Sequence, residues 1–168
     1  MNEERRWVAT PSQTVGPFFH VALSAESSRG TAAFQGRERI RLRVAVTDGN
    51  GRPVDDALVE IWQAGEGCGR MPTGEGGACE FETVRPCAKG GDAAPHINVC
   101  LFARGLLRQL HTRIYFAGDP ALAHDAVLAL VPEDRRSTLL AQPDPQDAGR
   151  WLFHVRLQGS QETVFFDP

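Results

Sequence analysis

Apolar and polar residues alternate along much of this chain. In residues 40–47, Ile40, Leu42, Val44 and Val46 interleave with Arg41, Arg43 and Thr47. A period of two sends the two sets to opposite faces of a strand, apolar inward and arginines outward. Asp48-Gly49-Asn50-Gly51 follows as a turn. Residues 58–63 predict a second strand, apolar on both faces apart from Glu60 and Gln63. A glycine-rich piece, 65–77, reads as a connector to a third strand over 79–84, and 85–94 as another loop. Residues 95–104 alternate again: Ile97, Val99, Leu101 and Ala103 against His96, Asn98, Cys100, Phe102 and Arg104. Residues 111–116 predict the next strand. Helical turns are expected only within 121–142, with Pro132 in a first turn and Leu139 and Leu140 as anchors. Residues 144–149 form a turn, and 151–158 with 163–166 predict a closing pair of strands.

Short strands, frequent turns and no sustained 3.6-residue period predict an all-β sandwich of mixed or antiparallel sheets with little helix. One domain over 1–168 is expected, preceded within it by an extended N-terminal arm, 1–23. Two prolines and a glycine at Pro11, Gly16 and Pro17 forbid a helix in that arm. It carries few internal hydrogen bonds, so it lies either on its own sandwich through Phe18 and Phe19 or on a neighbour. Residues 1–9 read as a loose tail and 24–37 as a surface loop.

Charge narrows the range of functions. A formal charge of −3 and a pI near 5.9 argue against a nucleic-acid partner, which needs a cationic surface. Lys89 is the one lysine among 18 basic residues, so a single arginine carries little meaning by itself. The charged start, Met1 to Arg6, leads into no apolar core and the longest aliphatic run, 126–131, is too short to cross a bilayer; a cytoplasmic protein is expected. Cys68, Cys79, Cys87 and Cys100 show no C-x-x-C pairing, so free thiols are expected, with Cys100 half-buried in its strand.

The chemistry concentrates in 95–104. His96 and Asn98 share a strand face two residues apart, with Arg104 further along the same face. A His-x-His at that spacing puts two imidazoles on one metal. Here an amide, a poor ligand for a transition metal, replaces the second. The stretch reads as the floor of a metal site that has lost its metal. His20, His111, His124 and His154 show no mutual spacing of a site.

Four segments carry a resemblance. Residues 10–19, Ala57-Leu58-Val59-Glu60-Ile61-Trp62-Gln63-Ala64, residues 95–104, and Thr112-Arg113-Ile114-Tyr115-Phe116 resemble the intradiol ring-cleaving dioxygenases. Pro95-His96-Ile97-Asn98, Leu101-Phe102-Ala103-Arg104-Gly105 and the ending from Gln158-Gly159 through Glu162-Thr163-Val164-Phe165-Phe166-Asp167 resemble the alpha subunits of the members that act on protocatechuate. The resemblance implies a β-sandwich and, for catalytic members, Fe(III) held by two tyrosinates and two histidines. This chain has one tyrosine, and Tyr115 matches a non-ligand position. His96 matches the first ligand histidine, and Asn98 replaces the second. The short loops 64–70 and 86–95 hold no tyrosine where catalytic relatives place theirs.

Such an alpha subunit, as the resemblance implies, carries no metal of its own. It pairs in a higher-order oligomer with an iron-bearing beta subunit of the same fold. The assembly cleaves protocatechuate with O2 to 3-carboxy-cis,cis-muconate. Thr14, Gly16 and Pro17 on the arm and Arg104 match positions that wall the partner's pocket. Gly16 permits close backbone approach, Pro17 stiffens the arm, Thr14 offers a hydroxyl, and Arg104 favours a benzoate carboxylate or a structural water. Two alternatives stand beside this: a β-sandwich scaffolding module with no dioxygenase partner, and a self-contained enzyme using other residues. Against the second, no nucleophile, base and orienting group fall together.

Overall fold

In the computed structural model, which describes residues 8–16, 18, 19, 23, 38–65, 67–87 and 93–167, alternation becomes eight strands. They are β1 (Arg39–Thr47), β2 (Leu58–Gln63), β3 (Gly67–Pro72), β4 (Ala78–Val84), β5 (His96–Phe102), β6 (Leu110–Phe116), β7 (Leu140–Pro143) and β8 (Arg150–Arg156). Expectations for residues 1–7, 24–37 and 88–92, and for Pro17 and His20, lie outside the described residues.

The strands hydrogen-bond in the order β3-β2-β5-β6-β7-β8-β1-β4. The β1–β8 and β6–β7 pairs are parallel and the rest antiparallel. Short β7 joins the two halves: Leu140 and Ala141 pair with β6, while Gln142 and Pro143 pair with β8. The sheet curls until its two end strands, β3 and β4, touch. Gly69 on β3 permits this closure, because a Cβ there would stand 3.1 Å from the Phe81 ring on β4. The mixed all-β sandwich, nearly closed as a barrel, is thus the observed architecture.

Inward faces meet in one core. Ile40, Leu42, Val44 and Val46 of β1 pack with Val59 and Ile61, Ile97, Val99 and Leu101, and Phe153 and Val155. Each such side chain, freed from water, contributes roughly 1.5–3 kcal/mol. A smaller cluster of Ala94, Tyr115, Leu128, Val131 and Leu139 covers one end of the outer face of β5 and β6. It is built from a 3-10 turn (Pro120–His124), α1 (Ala126–Ala129), α2 (Glu133–Arg136) and a 3-10 turn (Ser137–Leu139). Leu139 is fully buried, as an anchor should be. Pro132 is the N-cap of α2 rather than a first-turn residue.

Two strands escape the sequence pattern and one predicted strand is absent. Within the glycine-rich 65–77, residues 67–72 form β3, held by cross-strand pairing from Leu58–Pro72 to Gln63–Gly67 rather than by propensity. Four-residue β7 is too short to display a period. Residues 163–166 form no strand: Phe166 makes an isolated bridge to His111. The buried Thr163 instead accepts the Arg156 N–H on its hydroxyl oxygen at 2.9 Å. Among the described residues no helix is long and apolar enough to cross a membrane.

Candidate functional site

The register of β2, β5 and β6 sets three rows of side chains on the outer sheet face. Trp62, Asn98 and Arg113 form one row, Glu60, Cys100 and His111 a second, and His96 and Tyr115 a third. The covering cluster leaves the first two rows open as a depression of about 500 Å3, lined by Glu60, Trp62, Cys68, Arg70, Asn98 and His111. Trp62 is 53% exposed there. Arg70 closes one wall with a 2.5 Å ion pair to Glu60.

The third row pairs His96, the position read as a ligand histidine, with Tyr115 across the β5–β6 ladder. The His96 Nδ1–H donates to the Ala94 carbonyl at 2.8 Å, and its ring lies 5.6 Å from that of Tyr115. Burial lowers the His96 pKa, with Arg113 adding to it against the Ala94 bond and Asp125, so the imidazole is neutral at neutral pH. Tyr115 is fully buried and its hydroxyl donates to Asp125 Oδ1 at 3.1 Å. Burial pushes its pKa upward, the Asp125 carboxylate adding to this against Arg113, so Tyr115 stays a neutral phenol.

The ferric site implied by the resemblance does not fit these residues. It asks for two phenolates, and the only tyrosine is a buried phenol committed to Asp125. Asn98 supplies an amide where an imidazole is required. Burial raises the Cys79 thiol to about 12 despite Arg43. Burial and the Glu60 charge raise Cys100 to about 11. Cys100 is half-buried, as its strand position predicts. Among the described residues no group of three or more His, Cys, Asp or Glu is placed to hold a metal.

Arg104 and the arm meet at the other end of the same face. The β2–β5 ladder pairs Leu58 with Phe102, and its continuation brings Asp56 opposite Arg104, where Arg104 Nε–H and the Asp56 carboxylate form an ion pair. The Arg104 side chain remains 58% exposed. Gly105, at φ 87°, turns its N–H onto Thr14 Oγ1 at 2.7 Å, which pins the arm beside Arg104. Thr14 and Arg104 are therefore brought together. Gly16 is exposed, and a Cβ there would meet no described atom within 4 Å. Pro17 lies outside the described residues. Phe18 is 77% exposed and so does not pack the arm onto the sheet. Asp56, Asp125 and Trp62 were not singled out by the pattern. Only Asp125 carried a local signal, an acidic residue just before a short apolar helical segment.

No family model matches the chain. It is 39% identical over 192 residues to the protocatechuate 3,4-dioxygenase alpha chain of Burkholderia cepacia, covering 94% of this chain and 96% of that one. The chain belongs to the protocatechuate 3,4-dioxygenase alpha-chain family. The Pseudomonas putida alpha chain is 38% identical with the same coverage. The beta chain from Burkholderia cepacia is 31% identical across 75% of this chain and 67% of its own length. Both alpha-chain alignments run longer than this 168-residue chain and so contain gaps in it. In fold it is similar to the dioxygenase domain of a Streptomyces dioxygenase–carbohydrate-binding fusion, with TM-score 0.62, 22% identity and coverage of 92% and 99% of the two chains. It is also similar to hydroxyquinol 1,2-dioxygenase from Pseudomonas putida, with TM-score 0.61, 19% identity and coverage of 90% and 68%.

Proposed function

We propose that this chain is the iron-free subunit of a heteromeric, cytoplasmic protocatechuate 3,4-dioxygenase. Its partner is a beta chain of the same fold that carries Fe(III). Arg104, Thr14, Gly16 and Pro17 wall the cavity in which the assembly cleaves protocatechuate with O2 to 3-carboxy-cis,cis-muconate. One observation carries this reading: the single tyrosine is a buried phenol bound to Asp125, which leaves too few donors for the iron. The likeness to both the alpha and the beta chain from one organism supports a pairing of two related sandwiches. Such pairs bury large, partly apolar interfaces with clefts at their margins. The exposed arm and Arg104 lie together where such a neighbour reaches both. The arm's contribution is shape, and that of Arg104 is orientation of the substrate carboxylate; bond-making belongs to the partner.

The test is purification of the chain with and without a co-expressed beta chain. Alone it is expected to bind no stoichiometric iron and to lack tyrosinate-to-iron absorption in the visible region. Iron, colour and turnover arrive with the partner. A ferric centre, or oxygenase turnover, in the isolated chain overturns the reading.

A further inference from the structure

Arg104 is held by a specific neighbour. Asp56 binds its Nε–H, and the two residues face each other across the continuation of the β2–β5 ladder. We propose that Asp56 is a positioning residue that aims the Arg104 guanidinium at the substrate carboxylate, so that carboxylate recognition belongs to the Asp56–Arg104 pair. The inference rests on the reading of Arg104 as a wall of the shared cavity.

Asp56 stands on a fixed platform. Thr73, 4% exposed, accepts the Ala57 N–H on its hydroxyl at 2.9 Å and donates that hydroxyl to the Val54 carbonyl at 2.8 Å. Its backbone N–H reaches the Ala57 carbonyl at 2.8 Å. The turn is thus clamped on both sides of Asp56, whose side chain is only 21% exposed against 58% for Arg104. On the opposite side, buried Ala103 precedes Arg104 and the Thr14-bound Gly105 follows it. Between two anchored backbones, the long arginine side chain is the loose part, and an ion pair at Nε removes much of its rotamer freedom. Asp56 takes the Nε edge of the planar fork. Among the described residues the terminal nitrogens make no other hydrogen bond, which leaves them for a planar carboxylate. Asp56 also offsets the guanidinium charge, so anion affinity depends on geometry as well as on charge.

The experiment is calorimetric titration of the assembled alpha–beta complex with 4-hydroxybenzoate, which keeps the carboxylate, and with phenol, which lacks it. Steady-state kinetics with protocatechuate accompany it. Asp56→Ala is expected to weaken 4-hydroxybenzoate about fivefold, the scale of one exposed ion pair, with phenol affinity and kcat unchanged and KM raised in proportion. Asp56→Asn keeps an oxygen for the Nε–H and removes the offsetting charge, so its 4-hydroxybenzoate affinity is expected to stay within about twofold of wild type or to improve. Arg104→Ala is expected to lose the preference for 4-hydroxybenzoate, and adding Asp56→Ala to it is expected to change nothing further. If Asp56→Ala leaves the preference intact, or its effect adds fully to that of Arg104→Ala, Asp56 is not a positioning residue. If Arg104→Ala itself leaves the preference intact, the assignment of Arg104 fails, and this inference falls with it.

Discussion

Asp125 is 1% exposed and carries three hydrogen bonds. Its Oδ1 accepts the Leu128 N–H at 2.6 Å and the Tyr115 hydroxyl at 3.1 Å, and its Oδ2 accepts the Ala94 N–H at 2.7 Å. One carboxylate therefore caps α1, fixes the entry to β5 and claims the only tyrosine. Burial by itself raises a carboxyl pKa, but the bonds from Leu128, Ala94 and Tyr115 and the charge of Arg113 outweigh it and hold Asp125 below its usual value. The folded carboxyl thus binds a proton less readily than the unfolded one. Its stabilisation is complete above about pH 4 and is lost as pH falls through the lower folded value. Asp125→Asn places an amide NH2 against one of these donors and is expected to cost about 2–4 kcal/mol near neutral pH. Urea unfolding of both proteins between about pH 3 and pH 7 is the check, with the acid-induced fall smaller in the variant. A loss under about 0.5 kcal/mol contradicts the role given to Asp125.

At the scale of elements, the strands with long alternating patterns were legible. Residues 40–47 and 58–63 match β1 and β2 to within a residue, because a half-buried strand stamps its period on the sequence. β3 was not legible: its Gly67, Cys68 and Gly69 carry no period, and what makes them a strand is β2 alongside. Residues 163–166 fail in the opposite sense, since a β-like composition without an open ladder makes only a bridge. The turn into β4 offers a sharp test of local geometry. At Gly77, with φ 68°, a Cβ would stand 2.7 Å from the Val46 carbonyl oxygen and 2.8 Å from Pro53 Cβ. Gly77→Ala is expected to cost about 2–4 kcal/mol. Neighbouring Gly76 also has positive φ but open space around it, so Gly76→Ala is expected to cost about 1 kcal/mol. Equal losses for the two in chemical denaturation contradict the steric argument.

Across the whole molecule, the least self-sufficient part is the arm. Residues 8–14 and 16 are exposed, and one side-chain contact that ties the arm down is Thr14 on Gly105. Hydrogen exchange followed by mass spectrometry is expected to find the amides of residues 10 and 12–16 exchanging at near-unprotected rates in the isolated chain and slowed at least about tenfold in the alpha–beta assembly. Unchanged rates on assembly place the arm away from the partner. The sequence by itself determined the all-β class, the main alternating strands, the family resemblance and the shortage of iron donors, because these depend on local period, motif or plain residue count. Only the tertiary structure decided that Asp56 faces Arg104, that Thr14 reaches Gly105 and that Asp125 claims Tyr115. The first two contacts join residues dozens of positions apart, and the third depends on how the helical segment folds back over β6. Strand register and chain packing create them, and neither is written in any single stretch of the chain.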